Sequence, residues 1–267
     1  MNRYCFIGGG NMGKALIGGL LSNNLPKSSI SMVDPSPSAR EDCESTFKIK
    51  TFGSPRDAML DINVVVLAVK PNIVQEVLEE LANICEPGCL FISVAAGIKI
   101  SKLQISVGED KAIIRAMPNT PALVRRGVTA LKANEYVREK DKEAIEEIFG
   151  SVGLIRWVED EASLDAVTAI SGSGPAYFFL FTELLQRAAV EIGLSEDLAR
   201  DLASETFCGS AALFDQAQES ASVLRDRVTS PGGTTEKALD SFQKNNLYDC
   251  LLEAIKEAHK RSQSLSR

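Results

Sequence analysis

The first residues in the chain whose types and spacing could do chemistry are Gly8-Gly9-Gly10-Asn11-Met12-Gly13. They fit G-x-G-x-x-G and follow an apolar run over residues 3–8. Such a loop can cradle the pyrophosphate of a dinucleotide. Gly8 allows the tight turn, Gly10 lets backbone approach the phosphates, and Gly13 lets the next helix pack on the strand. The helix N-terminus adds free N–H groups and the positive end of its dipole. Asp34 stands about 20 residues on, where an acidic residue can accept from a ribose 2′-hydroxyl and favour NAD(H). Ser36, Ser38 and Arg40 follow at once and could hold a 2′-phosphate instead, which favours NADP(H). Both cofactors stay open on these residues.

Three more segments end predicted strands and belong at the same sheet edge. Ala68-Val69-Lys70-Pro71 ends one. Ala95-Ala96-Gly97 ends the next, and its small residues let a ring lie close to backbone. In Met117-Pro118-Asn119-Thr120-Pro121 two prolines rigidify the loop and present Asn119 and Thr120 as directional polar groups. Far along the chain, Thr229-Ser230-Pro231-Gly232-Gly233-Thr234-Thr235 precedes a predicted helix starting near Thr235. Its hydroxyls and the amides of a helix N-terminus suit a carboxylate.

Other chemistries are disfavoured. The chain has 1 histidine, His259, beside Lys260 and Arg261. Ser-His-Asp hydrolysis, a His general base and His-rich metal sites become improbable together. The 6 cysteines show no zinc spacing, so no metal site is expected.

These residues need elements to position them. Apolar runs at 3–8, 30–33, 48–52, 63–69, 89–94 and 111–116 predict strands, with helices over 11–22, 36–47 and 71–84 between them. Strands alternating with helices make βαβ units and a parallel sheet. Continuous apolar runs fit strands covered on both faces. Residues 127–131 and 154–158 predict two further strands around a helix at 139–149, closing the sheet edge. After about residue 160 no convincing strand follows. Helices are predicted over 173–192, 196–218 and 240–261, the last broken near Asn245-Asn246. The first of these has only a narrow polar stripe, which predicts burial on most sides and a partner subunit. The expected division is therefore an α/β domain at 1–160 and an all-helical one at 161–267.

Composition sets the class. The 267 residues carry 29 Lys and Arg against 36 Asp and Glu, a net charge of −7. A protein built to grip nucleic acid would need a basic face. The longest apolar stretches fall short of the roughly 18 residues a membrane span needs. The first residues lead into a strand rather than a signal peptide. Unpaired thiols among apolar neighbours fit a reducing compartment. A cytoplasmic protein is expected, with no nucleic acid or membrane partner.

In order along the chain, FIGGGNMG at 6–13, AVKP at 68–71, AAG at 95–97, RAMPNTPALV at 115–124, SGSGPAY at 171–177 and RDRVTSPGGTT at 225–235 resemble the pyrroline-5-carboxylate reductase family. The resemblance spans nearly the whole chain. It implies an N-terminal Rossmann domain, then an all-helical dimerisation domain like that of 6-phosphogluconate dehydrogenase. It implies reduction of 1-pyrroline-5-carboxylate to L-proline by NADP(H) or NAD(H), in the cytoplasm. It also implies a homodimer, assembled in many members into a decamer.

By position, Gly8, Gly9, Gly10, Asn11, Met12, Gly13, Asp34 and Ser36 would meet the pyrophosphate and adenosine ribose. Ala68, Val69, Lys70, Pro71, Ala95, Ala96 and Gly97 would line the nicotinamide half, with Asn119 at the same edge. Ser230, Gly232, Gly233, Thr234 and Thr235 would hold the substrate, Thr235 also hydrogen-bonding the ring nitrogen as the catalytic hydroxyl. In the family this loop comes from the partner subunit. Many relatives lack an acid at the position of Asp34. Related dehydrogenases that oxidise an alcohol use a lysine on the long helix opening the second domain. The predicted helix over 173–192 has none.

Overall fold

The computed structural model describes residues 1–266. Two compact units result, one of residues 1–173 with 258–266, the other Gly174–Glu257.

The first unit is an eight-stranded sheet. Its strands are β1 (Tyr4–Ile7), β2 (Ile30–Val33), β3 (Lys50–Phe52), β4 (Val64–Leu67), β5 (Leu90–Ser93), β6 (Ala112–Met117), β7 (Gly127–Ala133) and β8 (Gly153–Trp157). Their spatial order is β3-β2-β1-β4-β5-β6-β7-β8. The strands through β6 are parallel, β7 is antiparallel to β6, and β8 is parallel to β7. The α/β expectation is met, including the two strands that extend the edge.

Strand faces alternate between two cores. Tyr4, Phe6, Val64 and Val66 pack on helices α1 (Asn11–Ser22), α2 (Pro37–Phe47) and α5 (Glu139–Gly150). Cys5, Ile7, Val65 and Leu67 pack on α3 (Pro71–Ala82) and α4 (Ile100–Val107). Two covered faces explain why the strand runs read as uninterrupted apolar segments. The apolar spacing of Ile100, Leu103 and Val107 is helical, but at 8 residues α4 is too short for it to stand out. The helix carries β-branched Ile100, Ile105 and Val107, which lower helix propensity. Burial of Ile100, Leu103 and Val107 overrides that preference.

The carboxyl ends align. Ile7 is in register with Val33 on one side and Leu67 on the other, and Leu67 with Ser93. The chain leaves β1 for β2 in one direction and later returns to β4 on the other side. That reversal opens a crevice between the two connections, where ligands of open α/β sheets bind.

Past β8, α6 (Ser163–Val167) and a π-turn over Thr168–Gly172 complete the first unit. Residues 258–266 also belong to it. Arg115 of β6 is 3% exposed and donates to Glu161 Oε1 at 2.9 Å. Its other arm lies 3.7 Å from Asp165 Oδ1, which also accepts from the hydroxyls of Ser262 (2.7 Å) and Ser266 (2.9 Å). Leu265 lies so close to Gly97 that a Cβ there would meet its Cβ at 2.8 Å. Asp165→Ala strands these donors. It is expected to cost about 1–3 kcal/mol, read as a lowered Tm.

The second unit is helical: α7 (Gly174–Glu191), α8 (Glu196–Ala217), α9 (Ala221–Arg227), α10 (Thr234–Lys244) and the start of α11 (Leu247–Leu265). Ser195 caps α8 and Ser220 caps α9, each hydroxyl accepting from the third residue on. The short α9 carries no apolar periodicity long enough to be visible beforehand. The predicted break falls at Asn245-Asn246, where Asn246 takes φ +56°. Helix α7 leaves uncovered within the chain the apolar face that the expectation assigned to a partner subunit. Phe178, Phe179, Phe181 and Leu184 are exposed, as are Leu213 and Phe214 of α8. Within the unit, α7 meets α8 mainly through contacts such as the tilted Phe178–Phe207 pair at 6.0 Å. Among the described residues no helix is long and apolar enough to cross a membrane.

Candidate functional site

In the first unit the glycine loop bridges β1 and α1. Gly8 has φ +108°, and a Cβ there would stand 2.5 Å from the Ala68 carbonyl oxygen. A Cβ on Gly13 would stand 2.5 Å from the Gly8 carbonyl oxygen. Both positions are closed to larger residues by the protein's own backbone. Gly10 is different. It is the N-cap of α1 in extended conformation, and a Cβ there would meet nothing within 4 Å. The fold leaves that space open, and a pyrophosphate fits it. Asn11, Met12 and Gly13 form the first turn of α1, so their N–H groups have no intrahelical acceptor. No side chain caps them. A bare helix end beside an open space is a fit for the phosphates of a dinucleotide.

Asp34 ties this loop to the next element. Its Oδ2 accepts from the Gly9 N–H at 2.8 Å and its Oδ1 from the Ser36 N–H at 2.9 Å. Each oxygen keeps a further lone pair for a sugar hydroxyl. Beside it, the hydroxyls of Ser36 and Ser38 lie 2.9 Å apart at the start of α2. Arg40 donates from Nη1 to the carbonyl oxygens of Asp34 (2.8 Å) and Pro35 (3.0 Å). The role of Arg40 as a backbone clamp was not visible in its spacing.

The other strand ends reach the same edge. The Ala68 N–H donates to the Ile7 carbonyl at 2.8 Å, and the Val94 N–H to Leu67 at 3.1 Å. Ala68 and Val69 border Gly8. Lys70 is an exposed N-cap with Pro71 in the first turn of α3. Ala95 is buried, Ala96 is half-buried, and Gly97 takes φ +77°. Asn119 is nearly buried and works on the protein itself. Its Oδ1 accepts from the Val128 N–H at 2.9 Å, and its Nδ2 donates to the Ser171 carbonyl at 3.1 Å. It thereby fastens the 117–121 loop to β7 and to the π-turn.

In the second unit the 229–235 loop ends in α10. Gly232 takes φ +73° and Gly233 is the helix N-cap. Two of the loop amides are in use. The Gly233 N–H donates to the Ser230 carbonyl at 2.9 Å, closing the turn. The Gly232 N–H donates to Glu236 Oε2 at 2.9 Å. Thr234 and Thr235 supply the first two helical N–H groups, which have no intrahelical acceptor. Thr235 is half-buried, whereas Ser230 and Thr234 are exposed. The part played by Glu236 was missed, although an acid in a first helical turn is itself a capping signal. Among the described residues no group of His, Cys, Asp and Glu could hold a metal ion.

Comparisons with known proteins point one way. Residues 161–265 match the family model for pyrroline-5-carboxylate reductase dimerisation. Residues 3–97 match one described as NADP oxidoreductase coenzyme F420-dependent. A pyrroline-5-carboxylate reductase of Pseudomonas aeruginosa is 40% identical over 264 residues, covering 99% of this chain and 97% of that protein. The solved structure of such a reductase from Coxiella burnetii superposes with a TM-score of 0.94 at 38% identity, covering 100% of this chain and 99% of that one. A Plasmodium falciparum pyrroline carboxylate reductase with NADP bound gives 0.86 at 32% identity, covering 100% and 98%.

Proposed function

The chain belongs to the pyrroline-5-carboxylate reductase family, and from that premise we propose which of its residues do the work. The reaction is the reduction of 1-pyrroline-5-carboxylate to L-proline, the last step of proline biosynthesis. Bound NAD(P)H supplies the hydride. The substrate is a cyclic imine bearing a carboxylate, and protonated at nitrogen it is already a good hydride acceptor. The protein's task is to bind, orient and exclude water rather than to abstract a proton.

Gly8, Gly9, Gly10, Asn11, Met12 and Gly13 hold the pyrophosphate, and the observation that carries this is the open space at Gly10. Asp34 and Ser36 meet the adenosine ribose. Ala68 to Pro71 and Ala95 to Gly97 line the nicotinamide half, where the small side chains of Ala95 and Ala96 let a ring approach backbone, the side of Gly97 being filled by Leu265. Asn119 supports that edge through its two backbone hydrogen bonds. Ser230, Gly232, Gly233, Thr234 and Thr235 take the substrate carboxylate and ring nitrogen. The free Thr234 and Thr235 amides offer the carboxylate two donors at the positive end of α10. The Thr235 hydroxyl hydrogen-bonds the ring nitrogen and sets which face of the imine is presented. The division of labour is 1–160 for cofactor and 161–267 for substrate and assembly, supported by the dimerisation-family match over 161–265.

The chain self-associates. We read it as a homodimer that builds further toward a decamer, supported by the exposed apolar side chains of α7 and α8. Light scattering on the purified protein is expected to return no monomer at micromolar concentration. A cytoplasmic location is supported by the free thiols.

The deciding assay follows loss of the near-ultraviolet absorbance of NADPH and of NADH with 1-pyrroline-5-carboxylate. Turnover that depends on substrate supports the roles above; none with either cofactor removes them. Asp34 sets the ratio of the two rates. Its charge repels a 2′-phosphate, so Asp34→Asn is expected to raise the NADPH-to-NADH ratio of kcat/KM by about tenfold. The ratio cancels any general weakening from disturbing the Gly9 amide.

A further inference from the structure

The 95–97 loop has little of its own to anchor it. Its side chains are small, and Gly97 takes φ +77°. The Ala95 N–H reaches the Ser93 hydroxyl at 3.4 Å, a long hydrogen bond. A ring that lies on backbone is placed only as well as that backbone is held.

The last turn of α11 stands behind this loop. A Cβ on Gly97 would meet the Leu265 Cβ at 2.8 Å, and the Leu265 carbonyl carbon and oxygen at 3.1 Å. The nearest atoms are backbone and Cβ, so the seat of the helix turn matters here more than the length of the leucine. Two serines one helical turn apart fix that seat. Ser262 and Ser266 are both buried, and their hydroxyls donate to the same oxygen, Asp165 Oδ1, at 2.7 and 2.9 Å. Arg115 Nη2 lies 3.7 Å from that oxygen. The other flank of the loop is tied to the same cluster. Glu161 Oε1 accepts from Arg115 Nη1 at 2.9 Å and from the Ile100 N–H, at the start of α4, at 2.8 Å. The loop is therefore bracketed, by Leu265 against Gly97 and by Glu161 at α4.

We propose that Ser262 and Ser266 are positioning residues for hydride transfer. Held on Asp165, they seat the last turn of α11 behind the 95–97 loop and so fix the backbone on which the nicotinamide ring lies. The proposal rests on the reading that this loop lines the nicotinamide half. Hydrogen bonds to a buried carboxylate are short and directional, so the turn has one seat; apolar packing alone would let it slide. Without the two hydroxyls the turn keeps its packing and loses its register. Gly97 then gains room on its back side, and the ring no longer presents its hydride at one place. A misplacement of about 1 Å caused far from the chemistry can cost about 100-fold in rate. The glycine loop after β1 makes none of these bonds, so the grip on the pyrophosphate should not change.

The test is the Ser262→Ala, Ser266→Ala double variant of the full chain, assayed with whichever of NADPH and NADH turns over faster. Its kcat is expected to fall about tenfold or more. The deuterium isotope effect on kcat, with cofactor labelled at the transferred position, should rise as hydride transfer becomes limiting. Binding of ADP-ribose and of its 2′-phosphate, which carry the pyrophosphate without nicotinamide, should stay native. Asp165→Asn keeps Oδ1 as an acceptor for both hydroxyls and should hold most of the activity, whereas Asp165→Ala should behave as the double variant does. Ser266→Ala alone carries the same readouts if the double variant does not assemble. A kcat within about twofold of native with an unchanged isotope effect overturns the proposal. So does a loss of ADP-ribose binding equal to the loss of intact cofactor, which would mark a general structural defect. Ala96→Leu tests the underlying reading separately. If it weakens intact cofactor while the serine variants act as native, the reading stands and the proposal falls. If it binds cofactor and turns over as native, the loop does not line the nicotinamide, and the proposal falls with the reading.

Discussion

Thr235→Val should lower kcat/KM by roughly 10- to 150-fold, the worth of a hydrogen bond to a charged group at about 1.5–3 kcal/mol. Valine matches threonine in shape and keeps the helical backbone, so the Thr235 amide stays in place. What disappears is the hydroxyl toward the ring nitrogen. An interaction made as the imine is reduced shows in kcat, whereas one shared with the ground state shows in KM. Steady-state kinetics with saturating cofactor separates the two. A kcat/KM within about twofold of the native value would remove Thr235 from the substrate site. Thr235→Ser, which keeps the hydroxyl, should retain most of the activity.

The second large effect is Gly10→Val. At Gly10 the backbone is extended, which any residue adopts, and a Cβ meets no protein atom within 4 Å. The variant should therefore fold, with Tm lowered by only a few degrees, because replacing glycine at the α1 N-cap costs about 1 kcal/mol. Cofactor binding should fall by two orders of magnitude or more, because the branched side chain fills the space offered to the pyrophosphate (lost close approach, and lost hydrogen bonds to the helix end, at roughly 3 kcal/mol together). Fluorescence titration with NADPH and a thermal melt measure the two quantities on one sample. Gly8→Ala is the contrast. Its Cβ would enter the Ala68 carbonyl, so there the fold itself should suffer. A Gly10→Val protein that binds cofactor like native would show that the phosphates lie elsewhere.

Much of this was legible in the residues. Buried parallel strands announce themselves as unbroken apolar runs, and the loop glycines announce themselves by spacing. The break at Asn245-Asn246 was visible because two asparagines tolerate the left-handed turn that Asn246 adopts. Other features were hidden for physical reasons. Helix α4 has only 8 residues, too few for the helical spacing of Ile100, Leu103 and Val107 to stand out, and its burial is what fixes it. Asn119 has the residue type of a ligand-binding amide, yet its partners are 9 and 52 residues away. Only the folded chain shows that both ends of its side chain are engaged. The phenylalanines of α7 were read as an apolar face for a partner subunit to cover, and within the chain they stand exposed. Helical periodicity reports how apolar a face is, not which molecule meets it.

Glu236 gives the 229–235 loop a resident anion. Its carboxylate already sits on the Gly232 amide, where an incoming carboxylate would find one of its donors. On the proposed assignment, arrival of substrate at that amide would be an exchange of one carboxylate for another, not the filling of a vacancy. Exchange conserves hydrogen bonds, so little is gained from pairing and little is lost on release. The same holds for the product, which carries the same carboxylate. A loop with such a placeholder favours turnover over retention: it grips only as hard as the difference between two similar anions.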